Sequence, residues 1–488
     1  MNRALLLAPL QVVQALVGLG AIAAFTRLMS AEDFGRYALA LSVFMFAHTL
    51  VFTWAEAAAF RFFASARAEH RLADHYATLI GLALALGAAA LLLTAGLLTL
   101  AGLQRDALTL CMFAAGSAIA RFLLRLGRES ERAGAEVGRY AIFETGYLVL
   151  GFGFGVALLT RTDLGAAAPF AGLLLAGVVV LFVDAPHFLA RGAGGSASIA
   201  RAASYASYGA PLALALAVDL GVQTLSRFIL AHQAGPAALG AYAAAFGLAR
   251  PLDLIFIGAG AALATQMLAV YEQHGADAAR AIARAGFEAI AAIAAPAAIG
   301  LALVARPLAS LMVGATLSTD AAALLPWLAL AGLAQGFSVY YWSEAFQLTR
   351  RTGQRAALML IPGFVQITLT GTLAFAFGAE GAAMAAAAGA IASALVLAIV
   401  GRTLLALPIP FAALTRIGAA SAAMTLGVLA LPPAQGIAGL ALAVSVGAFI
   451  YGASALALDL AGVRAKTTAL IERLMRLTPT TERADAAS

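Results

Sequence analysis

Fourteen runs of predominantly apolar residues, each roughly one membrane thickness long, follow one another along the chain, and nothing constrains its fold more. They lie at about 5–25, 37–59, 77–100, 107–124, 140–159, 166–186, 208–231, 239–268, 285–304, 322–348, 356–377, 382–405, 411–431 and 437–461. A spanning helix needs about 20 such residues, because it crosses roughly 30 Å of hydrocarbon at 1.5 Å per residue. Lipid offers no water to backbone N–H and C=O groups, so the runs are expected as helices; a barrel would show short alternating segments instead. Composition removes the soluble alternative. The chain is 63% hydrophobic and 11% charged, against roughly 25% charged in soluble domains. The expected fold class is therefore all-α, a polytopic membrane protein with about 14 transmembrane helices.

The connectors test that count. With a cytoplasmic N-terminus, 22 of the 30 basic residues fall on the inner side of the apolar runs and five on the outer side. The inner group includes Arg121, Arg125, Arg128, Arg132 and Arg139, read here as loop charge. This bias predicts an even number of helices and both termini cytoplasmic. The net charge of +6 is accounted for the same way, and no dense basic stretch with interleaved aromatics points to nucleic acid. Cys111 stands alone, so no disulfide framework exists. The six histidines show no metal spacing, and no phosphate-binding loop of the Gly-x-x-x-x-Gly-Lys-Ser/Thr kind occurs. The opening run continues too far for a signal peptide, to about Ala24, and carries Gln11 and Gln14; it is read as the first spanning helix.

A polar knot interrupts the first two runs: Thr26-Arg27-Leu-Met-Ser-Ala-Glu-Asp-Phe-Gly35-Arg36-Tyr37-Ala-Leu-Ala. A similar phrase returns some two hundred residues later as Ser226-Arg227, then Gly235-Pro-Ala-Ala-Leu-Gly240-Ala-Tyr242-Ala. In both, an Arg closes one apolar run and Gly-x-Tyr-Ala opens the next. The duplication predicts an N-terminal lobe at 1–190 and a C-terminal lobe at 208–407, six helices each and pseudo-symmetric about a central cavity. A Gly-rich cytoplasmic linker at 191–207 joins them; its later part, 199–205, reads as a short amphipathic interfacial helix. Two accessory helices at 408–461 and a basic cytoplasmic tail at 462–488 complete the division, with a surface helix expected over 464–477.

A charge at the bilayer centre costs about 2.5–3.5 kcal/mol on insertion scales, so each one in a run asks for a reason. Asp219 and Gln223 lie in the seventh run, Arg250 and Asp253 in the eighth at i and i+3, and Gln11 and Gln14 on one side of the first. Arg250 reads either as a cationic anchor for a phosphate group or as half of an ion pair with Asp253 or Asp219. Asp219 reads either as a coupling-ion carboxylate, for a proton or sodium gradient, or as that same pair. Glu56 and Glu344 sit near the cytoplasmic ends of their runs, within reach of Arg61 and Arg350. Arg27 and Arg227 occupy matched places and suit capping of helix carbonyls at an outer gate. No cofactor and no metal site is expected, and no set of residues suggests an enzyme.

The stretch from Thr26 to Ala40 resembles the opening signature of the oligosaccharide flippases, the polysaccharide biosynthesis or O-antigen export proteins of the multidrug/oligosaccharidyl-lipid/polysaccharide exporter superfamily. The stretch from Arg227 through Gly235 to Tyr242 is similar to that family's second-lobe region. The resemblance implies a carrier that moves a polyprenyl-pyrophosphate-linked oligosaccharide from the cytoplasmic to the periplasmic leaflet of a bacterial inner membrane, by alternating access. It also implies membrane lipids as surroundings, and glycosyltransferases and a polymerase as pathway partners. Such proteins usually carry several cavity-facing cations, whereas Arg250 is the clear mid-helix candidate here. Three rivals stand beside it: a non-transporting scaffold for a polysaccharide assembly complex, a gradient-coupled multidrug exporter of the same superfamily, which usually has twelve runs, and a membrane polysaccharide polymerase or ligase. The latter class usually has a large outer loop with paired arginines; the longest outer connector here, about 305–321, has Arg306.

Overall fold

The computed structural model describes residues 3–100, 102, 104–134, 136–432 and 436–464. The described residues are predominantly helical, with no strand among them. In order, the α-helices are α1 (Arg3–Leu28), α2 (Ala31–Val51), α3 (Thr53–Ala68), α4 (Leu72–Leu100), α5 (Arg105–Ala133), α6 (Val137–Arg161), α7 (Ala168–Arg191) and α8 (Ile199–Ala249). There follow α9 (Pro251–Leu303), α10 (Ala305–Met312), α11 (Ala315–Phe337), α12 (Glu344–Leu348), α13 (Thr352–Leu358), α14 (Leu360–Gly401), α15 (Phe411–Leu429) and α16 (Gly436–Ala457). Twelve helical stretches among the described residues are long and apolar enough to cross a membrane.

Three of those stretches are too long for one crossing, and a glycine divides each. Gly235, Gly275 and Gly378 have φ of 87°, 81° and 58° inside α8, α9 and α14. Positive φ is the region glycine enters without steric cost, so the helix can break and restart with no connecting loop. The passage from 236 to 274 instead continues through Arg250, whose φ and ψ of −55° and −29° are helical. It is interrupted there because Pro251 brings no N–H. With these divisions the described residues make fourteen helical passages, one for each apolar run.

The N-terminal signature turns out to be a helix start. Ser30 caps α2: its Oγ accepts from Asp33 N–H at 3.1 Å, while Arg36 pairs with Glu32 and Asp33, both at 3.3 Å. Its glycine serves packing. A Cβ on Gly35 would overlap the carbonyl of Pro236, and one on Gly240 would press on the Ala31 carbonyl and the Gly35 backbone. The two matched phrases of the sequence therefore meet backbone to backbone through their glycines.

The described residues pack into two compact units, each assembled from separate stretches of the chain. The first holds the residues up to Leu248, with Met312–Leu324 and Met359–Gly389; the second holds Ala249–Leu311, Leu325–Leu358 and the residues from Ala390 onward. In the first unit the core is Phe44, Phe52, Leu79, Phe122, Leu126, Phe170 and Tyr205 with the alanines Ala55, Ala58 and Ala59. Phe52 stacks on Phe122 with ring centres 4.2 Å apart. In the second, Phe287 lies 4.7 Å from Phe337 and 4.8 Å from Tyr341, centre to centre. There the backbone passes through a π-helical turn at Ser338–Trp342.

Three expectations change. Residues 199–205 form the first turns of α8, with no separate interfacial helix. Arg121, Arg125, Arg128 and Arg132 belong to no loop: α5 runs on to Ala133, where Gly134 closes it by donating its N–H to the Ser130 carbonyl at 3.0 Å. Glu56 and Glu344 do not pair with Arg61 and Arg350 among the described residues; Glu344 accepts from Gln347 at 3.1 Å, and Glu56 has the partners described below. The surface helix foreseen over 464–477 falls, beyond Arg464, outside the described residues.

Candidate functional site

The polar heart of the first unit is built on α5. Its arginines at 121, 125, 128 and 132 are spaced four, three and four residues apart, which puts them on one face of the helix. On that face Arg128 is fully buried and Arg121, Arg125 and Arg132 are half-buried. Carboxylates from α3, α6 and α7 meet it.

One network joins Arg121 to Glu144, Glu144 to Arg128 at 3.5 Å, and Arg128 to Asp184 at 3.9 Å. It continues from Asp184 to Arg139 at 2.6 Å, from Arg139 to Glu131 at 3.0 Å, and through Arg191 and Glu136 to His187. Four arginines thus face four carboxylates. Arg121 and Arg139 also lie over the rings of Tyr147 and Phe143, at 4.6 and 4.8 Å. Glu131, Glu136 and His187 bring ligand atoms within 4.8 Å of one another. The guanidinium groups of Arg139 and Arg191 already neutralise those carboxylates, so a cation there would be in competition with them.

A second network is separate. His48 Nε2 lies 2.9 Å from Glu56 Oε1; Glu56 Oε2 is 3.6 Å from Arg125; Arg125 reaches Glu129 at 3.3 Å, and Glu129 reaches Arg132 at 2.8 Å. Arg132 ends the series, part-exposed, over the ring of Phe60 at 4.7 Å. Isolated charges could not remain in this surrounding; balanced and paired they can.

Beside these networks the first unit contains a cavity of ≈ 1840 Å³ bounded by α2, α4, α5 and the turn at 162–167. Charged and polar side chains ring one end, among them Asp33, Arg36, Arg105, Asp106 and Asp163. Aliphatic side chains line its body, and His48 and Phe52 stand at the other end. In the second unit a smaller recess of ≈ 430 Å³ lies among α9, α15 and α16, lined by Pro296, Leu301, Val428, Leu440 and Val444, with Tyr451 as its one hydroxyl-bearing residue. That hydroxyl donates to the Ala292 carbonyl at 2.6 Å, so the recess presents apolar surface.

The residues singled out in the sequence are distributed as follows. Gln11 is exposed and Gln14 half-buried on α1. Gln223 donates to Asp219 at 3.3 Å along α8, where Asp219 is exposed. Arg250 and Asp253 are both exposed at the start of α9, and no ion pair within 4 Å joins them. Arg27 donates to the Ala23 carbonyl at 2.6 Å and to the Met312 carbonyl at 3.3 Å. Arg227 donates to Ser42 Oγ at 2.6 Å and covers the ring of Phe246 at 4.9 Å. What sequence reasoning missed is the α5 face together with His48, Asp184 and Glu131. The signal was present: four arginines at helical spacing, with an acid in each of the neighbouring segments.

A family model described as "Polysaccharide biosynthesis protein" matches residues 24–319. Comparison with curated protein sequences returns no match. Among solved structures the chain is similar in fold to "Lipid II flippase MurJ, inward closed conformation", with TM-score 0.76 and 14% identity over 93% of this chain and 98% of that one. It is also similar to a multidrug resistance MATE family transporter of the MOP superfamily. For the inward-facing form the TM-score is 0.66 at 18% identity, over 80% of this chain and 94% of that one. For the outward-facing form it is 0.56 at 18% identity, over 81% and 92%.

Proposed function

The chain belongs to the polysaccharide biosynthesis protein family, and on that premise we propose that it carries a polyprenyl-pyrophosphate-linked oligosaccharide across a bacterial inner membrane, from the cytoplasmic to the periplasmic leaflet, by alternating access. The observation that carries the reading is the recess among α9, α15 and α16. A lipid-linked sugar is a molecule in two parts. Its head needs polar contacts throughout the crossing, whereas its polyprenyl tail needs apolar surface and loses nothing by staying in contact with lipid. The recess offers aliphatic side chains, and its tyrosine hydroxyl is already engaged by a backbone carbonyl. It exists because the chain has α15 and α16.

For the head we assign Arg250 to the pyrophosphate. Its guanidinium is exposed, is held by no ion pair within 4 Å among the described residues, and has the fork geometry that suits phosphate oxygens. Asp253, Asp219, Gln223, Gln11 and Gln14 supply the acceptors and donors that sugar hydroxyls require. Arg27 and Arg227 are assigned to holding helix ends in place, since backbone carbonyls and Ser42 already take their hydrogen bonds.

The test is reconstitution in vesicles with a fluorescent polyprenyl-pyrophosphate sugar, reading arrival of the label in the opposite leaflet. Movement is expected, together with a fall of at least about tenfold in Arg250→Ala, the equivalent of one lost charge-assisted hydrogen bond of about 1.5–3 kcal/mol. Export of cationic drugs with no movement of any polyprenyl sugar would transfer the protein to the multidrug class.

A further inference from the structure

We propose that His48 and Glu56 form a proton-binding dyad at the inner end of the large cavity, and that loading this dyad couples transport to a proton gradient. The inference rests on the transport reading above and adds the coupling ion and the residues that bind it.

Geometry comes first. From the charged rim at Asp33 to His48 the helix α2 runs 15 residues, about 22 Å at 1.5 Å per residue, so the cavity reaches deep into the first unit. His48 is the titratable side chain on the cavity wall at that depth; Glu56, Arg125 and Glu129 lie behind it and do not line the cavity. Any exchange between cavity water and the second network therefore passes through the imidazole. Its Nε2 is held by Glu56 at 2.9 Å, while its Nδ1 is buried with no hydrogen-bond partner among the described residues. The side chain is 7% exposed. A ring fixed by one nitrogen and unpartnered at the other carries a desolvation cost that a purely structural histidine avoids.

Charge is the second argument. Arg125 and Arg132 balance Glu56 and Glu129, so the network closes at zero charge with a neutral His48. Protonating any of the carboxylates, or removing any guanidinium, would break a buried pair. Taking one proton on the imidazole is the charge change that leaves every arginine–carboxylate pair intact, and Glu56 is already in place to face the imidazolium. The step is a proton from cavity water to His48, and back to water when the dyad is opened to the other side.

The surroundings support a local device. The charged groups facing the pair are Arg125, Arg121 and Glu129, all from α5. Phe44 and Phe52 flank the imidazole, at 6.1 and 5.4 Å between centres. α8 packs on another face of α2. Phe46 meets Gly221 there, Ser42 meets Thr224 and Arg227, and Asp219 stays near its own Gln223. At 100° per residue His48 points about 200° away from Phe46, so Asp219 addresses the opposite side of α2.

The test uses the full chain in vesicles with the same fluorescent sugar lipid and an imposed pH difference, reading the steady-state ratio of label between leaflets. For one proton per lipid the ratio is expected to rise up to about tenfold per pH unit. His48→Gln and Glu56→Gln are expected to bring it to one, while His187→Gln, the histidine of the other network, leaves it as in the wild type. A wild-type ratio of one with the lipid still moving, or a ratio in both dyad variants equal to that of the wild type, overturns the proposal. If no sugar lipid moves at all, the transport reading fails on its own account, and the site is then judged without it.

Discussion

The two compact units solve the same problem with different materials. Each must hold helices together in surroundings where apolar surface gains nothing by leaving lipid. The first unit does so with buried charge: Glu56, Arg128, Glu129, Glu131, Glu144 and Asp184 are all less than 9% exposed. In the second, Glu344 is the one buried charged residue among the described ones, and the work falls to Phe256, Phe287, Tyr341 and Trp342 with hydroxyl pairs such as Ser338–Ser393. The difference concerns tolerance. An ion network holds only at its own geometry, because a displaced partner leaves a charge uncompensated. An aromatic cluster depends on volume and accommodates other shapes.

The largest effect should come from Arg128→Ala. It removes a fully buried guanidinium from Glu144, Asp184 and the Leu124 carbonyl, to which Nε donates at 3.1 Å. A loss of about 3–5 kcal/mol is expected, read as an equilibrium unfolding shift in detergent. Arg128→Lys should recover less than half of it, since an ammonium cannot reach three separated acceptors as the planar fork does. Full rescue by lysine would mean that charge alone matters there and would break the contrast.

Phe287→Ala comes next, at about 3 kcal/mol, from the space left beside Phe337 and Tyr341. The contrast is sharpened by Phe287→Leu, which should cost less than about 1.5 kcal/mol because it keeps most of the volume. A leucine variant as damaged as the alanine one would put the two units on the same footing.

How much of this was legible in the sequence follows the same division. Apolar length and small residues are local properties, so each of the fourteen runs corresponds to a helical passage, and the glycines of the two repeated phrases stood out before they were seen to touch at Gly35 and Gly240. The interruption within the run at 239–268 has its reason in Pro251 after Arg250. The ion networks were not legible because their signal is distributed. Arg121, Arg125, Arg128 and Arg132 lie at and beyond the end of an apolar run and so pass for loop charge, although their spacing is that of a helix face. Their partners Glu56, Glu144 and Asp184 are one acid in each of three other segments. Pairing such residues needs the fold, since nothing in the chain order says that residue 125 meets residue 56 and residue 184 meets residue 128. His48 and Glu56 are only eight residues apart, yet the interruption at Phe52 brings them within hydrogen-bond distance.

The smallest effect tests the second unit at a polar link to a connector. Tyr341 is fully buried, and its hydroxyl donates to the Pro408 carbonyl at 2.6 Å. Pro408 lies in the non-helical stretch between α14 and α15, where a carbonyl has no helical partner to accept from. Tyr341→Phe keeps the ring, its edge-on contacts at 4.8 Å with Phe287 and Trp342, and nearly all the volume. It removes one hydrogen bond and leaves one carbonyl unmet, so the expected cost is about 1–2 kcal/mol. It should fall below that of Phe287→Ala if packing carries this unit. A Tyr341→Phe loss as large as that of Arg128→Ala would show that the second unit also depends on buried polar geometry, and the division of labour between charge and volume would no longer hold.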